Sequence, residues 1–190
     1  MLQQRVTDYF ATLSQLLLSI EATDQQGDAL TLDQGTERAV QMIGDVKSAS
    51  RKMLLAGNGG SSAIVSHVQN DLCKSVGVRA MVFTEQPLLT ALANDDGYGS
   101  VFEWPIGLWA EAGDLLLTVS SSGRSENIVR ALAAAREMGC QVITLSGFDA
   151  DNTSRQMGDL NFYVPSHVYG FVESAHTALA HYLTNMAAPC

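Results

Sequence analysis

Basic residues are scarce in this sequence of 190 residues, in which 11 Lys and Arg stand against 20 Asp and Glu. The resulting net charge of −9 repels phosphate backbones and anionic lipid, so we expect neither nucleic acid nor a membrane surface as a partner. No apolar run has the length of a membrane span, and the first residues lack the pattern of a signal peptide. These absences predict a cytoplasmic protein.

Cysteine is also rare. The three cysteines, Cys73, Cys140 and Cys190, are scattered, odd in number and without the spacing of a metal site, which indicates reduced thiols of a cytosolic protein. The apolar fraction of 46% is ordinary for an α/β protein, and the length suffices for one domain with a full core. We therefore expect residues 1–190 to form a single domain.

A glycine-rich turn follows the first strongly apolar run. Residues 53–56 are typical of a buried strand, residues 57–62 (Gly-Asn-Gly-Gly-Ser-Ser) of a turn, and a helical pattern begins at Ala63. The turn lacks the Gly-Lys-Ser/Thr of a Walker loop and the third glycine of a dinucleotide fingerprint. What remains is a helix N-terminus with free N–H groups and partial positive charge, which attracts an anion, most often a phosphate.

A second strand–turn–helix unit carries four serines. The strand covers residues 114–119, and the turn reads Ser-Ser-Ser-Gly-Arg-Ser over residues 120–125. A serine at a helix start is often an N-cap, but one cap needs one hydroxyl. Four hydroxyls beside a glycine favour an anion-binding nest over capping alone.

Strands alternate with helices after the first turn, which is typical of a doubly wound, mostly parallel sheet with helices on both faces. Ligands of such sheets bind beyond the carboxyl ends of the strands, where both turns lie. This α/β body covers residues 51–190. Its five predicted strands are residues 53–56, 79–83, 115–119, 141–145 and 160–164.

Two amphipathic segments precede the body. Residues 3–22 and 32–49 each carry apolar side chains at steps of three and four, with a polar break around Gly27. They are predicted to form an N-terminal helical hairpin over residues 1–50. Such a hairpin either covers the sheet or forms a subunit interface, and the length of the two helices favours the interface.

Titratable side chains occur on two of the predicted helices. His67 and Asp71 share one face of the helix after the glycine-rich turn, and a surface ion pair explains that spacing as well as a functional site does. The last helix carries Glu173, His176 and His181. Its two histidines lie about 140° apart around the axis and do not serve one site together; geometry alone does not choose between them.

The order of these motifs resembles the sugar isomerase (SIS) domain family, and within it the phosphoheptose isomerases. The resemblance runs from residue 5 to the end of the chain and implies a flavodoxin-like SIS fold and a homotetramer with active sites where subunits meet. The matching segments are residues 56–61 (Ala-Gly-Asn-Gly-Gly-Ser), His67 with Asp71, residues 94–97 (Asn-Asp-x-Gly), residues 120–125, residues 142–147 and the helix with Glu173 and His181.

The resemblance also implies an aldose–ketose isomerase that converts sedoheptulose 7-phosphate into D-glycero-D-manno-heptose 7-phosphate for surface polysaccharide such as lipopolysaccharide. The reaction moves a proton between C1 and C2 through an enediol, with Asp71 and His181 at the catalytic positions. A zinc ion that polarises the carbonyl is implied at His67, Asp71, Glu173 and His181. The phosphate is implied on Ser120, Ser121, Ser122 and Ser125, with Ser61 adjoining. The residues implied to line the sugar are Asn58, Gly59, Gly60, Asn94, Asp95 and Glu173.

The chain departs from the phosphoheptose isomerases at several positions. Asp71 replaces a glutamate and is one methylene shorter, Glu173 replaces a glutamine and adds negative charge, and Ser75 stands where the family often has arginine. The loop at residues 167–170 lacks an acidic residue that the family uses near the sugar. A second hypothesis is therefore a non-catalytic SIS tetramer that binds a phosphosugar or a protein, like the replication-initiator-associating branch. The two retained histidines favour the enzyme.

Overall fold

The computed structural model describes residues 5–189, which contain a seven-stranded sheet in the order β2-β1-β7-β6-β5-β3-β4. The predicted helix start at residue 3 and Cys190 lie outside these residues. The strands are β1 (Glu21–Asp24), β2 (Ala29–Leu30), β3 (Lys52–Gly57), β4 (Arg79–Val82), β5 (Leu115–Ser120), β6 (Gln141–Ser146) and β7 (Leu160–Tyr163). The helices are α1 (Val6–Leu18), α2 (Leu32–Ser48), α3 (Gly60–Asp71), α4 (Gln86–Asp95), α5 (Ser100–Trp109), α6 (Glu126–Glu137) and α7 (Tyr169–Ala187), with a π-helical turn at Leu72–Val76 and a 3₁₀ turn at Ser154–Gln156.

The parallel strands are buried on both faces, which explains their nearly continuous apolar sequences. In β3, Met53 and Leu55 pack in a core shared with α2, α3 and α7, whereas Leu54 and Ala56 pack in a second core shared with α4, α5 and α6. The predicted doubly wound α/β class is confirmed.

The predicted count of five strands is wrong. The five parallel strands are present from β7 to β4, but β1 and β2 add an antiparallel hairpin at the other edge, where β1 pairs with β7. The hairpin occupies the polar break between the first two helices, with Gly27 at φ 85° in its turn. Neither β1, which reads Glu-Ala-Thr-Asp, nor the two-residue β2 contains an apolar run that indicates a strand, unlike the equally short β4 and β7.

The first two helices have different surroundings. Six residues of α2 are buried, and this helix covers the sheet. No residue of α1 is buried; it rests on α7 through Tyr9, whose ring stacks on Phe171 at a centroid distance of 4.5 Å. Val6, Phe10 and Leu18 are left exposed. Between residues 5 and 189 no helix is both long and apolar enough to cross a bilayer.

A buried carboxylate ties the amino ends of β3 and β5 together. Asp114 is fully buried and accepts hydrogen bonds from the backbone N–H groups of Lys52 at 3.0 Å and Glu111 at 2.8 Å. The Lys52 ammonium lies 2.7 Å from the same carboxylate. Three donors thus satisfy the negative charge of Asp114. This carboxylate lies at the end of the sheet opposite the glycine-rich turn and the serine-containing turn.

We expect the substitution Asp114→Asn to lower the free energy of unfolding by about 3 kcal/mol. The Lys52 ammonium would keep only the exposed Glu111 carboxylate as a counter-charge, and the new amide would turn N–H donors toward the backbone N–H groups of Lys52 and Glu111. Urea unfolding followed by circular dichroism measures the change. Asp8→Asn, which removes the charge of the exposed Arg5–Asp8 pair, is the matched control and should cost less than about 1 kcal/mol. Equal losses in the two variants would show that the Asp114 network does not stabilise the sheet.

Candidate functional site

An open cavity of about 240 Å³ lies between the two turns, beyond the carboxyl ends of the adjacent parallel strands β3 and β5. The start of α3, the serine loop (residues 120–125) and the start of α7 form its walls. Tyr169 is the one lining residue that the sequence analysis does not single out. The cavity is lined by Asn58, Gly59, Gly60, Ser61, Ser120, Ser121, Ser122, Ser125, Tyr169 and Glu173.

Two glycines keep the start of α3 open to the cavity. Gly59 precedes the helix at φ 53° and ψ −122°, a conformation that side chains disfavour. A Cβ atom on Gly60 would lie 2.5 Å from the Glu173 Oε1 atom, so a side chain there would displace the Glu173 carboxylate. The first turn of α3 contains no acidic residue. Its free N–H groups and the helix dipole therefore provide positive potential for an anion.

The serine loop supplies hydroxyls that the fold itself uses little. Ser125 occupies the N-cap position of α6, but its side chain makes no capping hydrogen bond. The Ser121 hydroxyl is buried without a partner. The hydroxyls of Ser120 and Ser122 accept long bonds from the backbone N–H groups of Gly123 and Arg124, at 3.2 and 3.3 Å. Because buried hydroxyls are normally satisfied, this arrangement favours an anion nest over capping.

A pair of asparagines links the two turns. Asn58 and Asn127 exchange two side-chain hydrogen bonds of 2.9 Å, and the Tyr98 hydroxyl donates a third to Asn58 at 3.2 Å. The pair fixes the glycine-rich turn to the first turn of α6. The sequence analysis does not identify Asn127 or Tyr98, and no local pattern could have paired residues 69 positions apart.

Asn94 and Asp95 lie elsewhere. The segment predicted as a turn forms the last turn of α4, and both side chains are exposed, with Asn94 donating to Asp95 at 2.7 Å. Neither residue lines the cavity of this chain. Their predicted contact with a sugar stays a prediction.

A cluster of two histidines and one carboxylate lies between α3 and α7. Asp71 Oδ1 is 3.6 Å from His67 Nε2, and Asp71 Oδ2 is 3.4 Å from His181 Nδ1. The two imidazole rings meet edge to face at 4.9 Å. One ligand atom from each residue falls within 4.8 Å of the others. Imidazole nitrogens and a carboxylate oxygen are ligands that zinc accepts, so these three residues can hold such an ion.

Glu173, the fourth predicted ligand, lies apart from this cluster. Its carboxylate contacts Gly60 at the cavity, two helical turns before His181 and about 12 Å from it along the axis. Glu173, Thr177 and His181 share one face of α7, and the last two line a narrow groove with His67. The groove between α3 and α7 lies at the cluster, and its first lining residue on α7, Thr177, follows Glu173 of the cavity by one helical turn.

The choice between the two histidines of α7 is made by packing. His176 is completely buried, and its Nε2 atom donates to the Ser146 carbonyl at 3.1 Å, while Nδ1 has no partner. Burial lowers the pKa of His176 to about 4, which keeps the ring neutral. His181 points the other way, into the cluster.

Comparison with known proteins decides the family. The SIS domain family matches residues 8–147. This chain belongs to the SIS domain family. A phosphoheptose isomerase of Aliarcobacter butzleri is 33% identical over 157 residues, which are 80% of this chain and 82% of that protein. A second, from Citrifermentans bemidjiense, is 32% identical over 161 residues, covering 82% and 83% of the two chains.

Solved SIS structures have the same fold. The phosphoheptose isomerase GmhA from Neisseria gonorrhoeae superposes with a TM-score of 0.84 at 28% identity, over 97% of this chain and 98% of that chain. A phosphoheptose isomerase from Francisella tularensis gives a TM-score of 0.83 at 23% identity, over 96% and 95%. The resemblance inferred from the motifs is confirmed.

The unused Ser125 hydroxyl gives a test of the two interpretations of the serine loop in this SIS domain. Ser125→Ala should change the free energy of unfolding by less than about 0.5 kcal/mol, because no cap is lost. Thr31→Ala is the matched control: Thr31 caps α2 in a reciprocal capping box with Gln34, and its loss should cost about 1 kcal/mol.

Thermal unfolding with and without inorganic phosphate measures both effects. We expect phosphate to raise the melting temperature of the wild type and of Thr31→Ala, and to raise that of Ser125→Ala less. An equal loss of stability in the two variants, with phosphate protection unchanged, would show that Ser125 is only a cap.

Proposed function

We propose that this SIS protein is a phosphoheptose isomerase that converts sedoheptulose 7-phosphate into D-glycero-D-manno-heptose 7-phosphate for heptose biosynthesis. The observation that carries the proposal is that α3 and α7 both begin at the anion cavity and carry the His–Asp–His cluster further along. The family membership and the phosphoheptose isomerases at 32–33% identity support the same activity. Lipopolysaccharide is the proposed destination of the heptose.

The phosphate binds in the cavity. Hydroxyls of the serine loop, with Ser61, surround the phosphate oxygens, and the start of α3 contributes N–H groups. This positions C1 and C2 of an extended sugar toward the cluster, since His67 follows Gly60 by about 10 Å along the helix. Holding the substrate at both ends supplies the orientation that proton transfer needs.

Proton transfer is assigned to Asp71 and His181. The reaction takes a proton from C1 and returns it to C2, while the proton of the C1 hydroxyl moves to the C2 oxygen through the enediol. Asp71 is the carboxylate base, and His181 exchanges the oxygen-bound proton. Glu173, at the cavity end, faces the middle of the sugar and contacts its hydroxyls.

Zinc is the proposed cofactor, held by His67, Asp71 and His181. When bound, it polarises the substrate carbonyl as a Lewis acid. Three protein ligands leave a coordination position open, as in catalytic zinc sites, whereas a fourth would normally close it. The position of Glu173 at Gly60 supports a three-residue set.

A homotetramer in the cytoplasm, built from a single SIS domain per chain, is the proposed assembly. Two observations support an association of subunits: the exposed apolar side chains of α1, and the placement of Asn94 and Asp95 outside the cavity of their own chain. We propose that both asparagine and aspartate contact the sugar of a neighbouring subunit.

The activity is tested by incubating the protein, with zinc supplied, with sedoheptulose 7-phosphate and following aldose formation by NMR. We expect turnover by the wild type and a loss of about 10²- to 10⁴-fold in kcat for Asp71→Asn, which keeps the shape but removes the base. Asp45→Asn, an exposed change on α2, is the control and should keep full activity. If the wild-type protein leaves sedoheptulose 7-phosphate and related ketose phosphates unchanged, the proposed isomerase activity is wrong, and the non-catalytic binding module is favoured.

Metal analysis of the purified protein tests the cofactor. We expect one zinc per chain in the wild type, loss of the ion in His67→Ala and His181→Ala, and retention in Glu173→Ala and in the control His167→Ala, an exposed loop histidine. Loss of zinc in Glu173→Ala would restore the four-ligand set. If the wild-type protein contains no zinc when it is produced in medium supplied with zinc, the proposed cofactor is wrong. Isomerisation without a metal, by Asp71 and His181, would then be the remaining mechanism.

A further inference from the structure

Two aromatic residues form a wall at the mouth of the cavity. Tyr169, the first residue of α7, lines the cavity and is 61% exposed. The Phe148 ring meets it edge to face at 4.8 Å, and the imidazole of His167 stacks on Phe148 at 5.7 Å with an interplanar angle of 14°. The sequence motifs and the proposed chemistry use none of these side chains.

Phe148 is held in a conformation that bulky residues avoid. Its φ is 58°, in the left-handed region, where aromatic residues are outliers. The Phe148 N–H donates to the Ser166 carbonyl at 3.0 Å, and the Tyr163 hydroxyl donates to the Phe148 carbonyl at 2.8 Å. Both bonds fix the backbone on either side of the strained residue. Strain of this kind persists where the surroundings impose it, and it commonly occurs in ligand sites.

The wall stands beside the path of the substrate. Tyr169 precedes Glu173 by one helical turn, so the phenol ring and the carboxylate lie on one face of α7. Both line the cavity together with the serine loop. Tyr169 lies one turn farther from the His–Asp–His cluster than Glu173. A sugar phosphate held on the serine loop therefore has the Tyr169 ring beside the carbons next to its phosphate.

We propose that Tyr169, braced by Phe148, is a specificity-determining residue for the polyol segment of the substrate. The inference rests on the proposed function. The ring packs on the carbon chain, and the phenol hydroxyl bonds one of the sugar hydroxyls, because a tyrosine combines an apolar body with a polar end. The ligand class is a phosphorylated sugar long enough to contact the wall and the phosphate cavity together. Inorganic phosphate occupies the cavity alone.

Binding measured by calorimetry tests this role. The probes are inorganic phosphate and a heptitol 7-phosphate, the borohydride-reduced form of sedoheptulose 7-phosphate, which lacks the carbonyl and is not isomerised. Tyr169→Ala should weaken heptitol phosphate binding about tenfold or more, because it removes the packing surface of the ring. Tyr169→Phe should weaken it about two- to tenfold, because it removes a single hydrogen bond. Phosphate binding should stay within about twofold of the wild type.

Two further variants separate specificity from structure. Phe148→Asn tolerates the left-handed backbone but removes the brace, and should weaken the heptitol phosphate without affecting phosphate. Val168→Ala, an exposed neighbour that does not line the cavity, is the control and should bind both probes like the wild type.

The outcomes distinguish the inference from the function on which it rests. A wild type that binds heptitol phosphate, with Tyr169→Ala binding it equally well, overturns the specificity role and leaves the isomerase standing. Equal weakening of both probes in Tyr169→Ala would mean that the ring only shapes the phosphate cavity, which also overturns it. A wild type that binds phosphate but not heptitol phosphate overturns both proposals.

Discussion

The parallel register of β3 and β5 is the constraint on which the site depends. The two strands pair from Met53 opposite Leu115 to Gly57 opposite Val119, so they end side by side. From β3 the chain continues to β4 on one side, whereas β5 lies on the other, and the turns that follow β3 and β5 therefore diverge. A cleft opens between them without any gap in the core. Both helix starts then direct their dipoles into the same space.

Anion binding in an acidic protein has to be local. Among the described residues that line the cavity, none is lysine or arginine. Arg124, the one basic residue of the serine loop, is turned outward and pairs with Asp151 at 2.6 Å. Helix dipoles, backbone N–H groups and hydroxyls are therefore the groups that attract an anion to the cavity, and they act beside the carboxylate of Glu173, which lies at Gly60. Such donors hold an anion of the right shape at short range and do not attract polyanions over a distance.

One helix, α7, contributes residues to both the cavity and the His–Asp–His cluster. The 19-residue α7 carries Tyr169 and Glu173 at the cavity and His181 at the cluster. His176, between them, anchors the helix to the end of β6 by its bond to Ser146. Because a helix is rigid over this length, the rotation of α7 about its axis and its position along that axis place the cavity residues and His181 together. The neutral, buried state of His176 keeps that anchor unchanged through physiological pH.

The fold class was predictable because long apolar strands alternating with helices allow few topologies. The cavity was predictable in large part, since the residues after two adjacent parallel strands meet wherever the strands end. The β1–β2 hairpin was not, because its short strands lack the apolar run that marks β4 and β7. Tyr98, Asn127 and Tyr169 were also missed, because their roles depend on contacts between distant segments.

The sequence by itself determined the glycine-rich turn, the serine loop, the parallel sheet and the shared face of His67 and Asp71, because these follow from local spacing along single elements. Only the tertiary structure decided between His176 and His181. The rotation of α7 about its axis is fixed by which side packs on the sheet, and that packing buries one histidine and presents the other to Asp71. The same packing brings the Glu173 carboxylate to Gly60, about 12 Å along the helix from His181. No spacing along the chain contains that information.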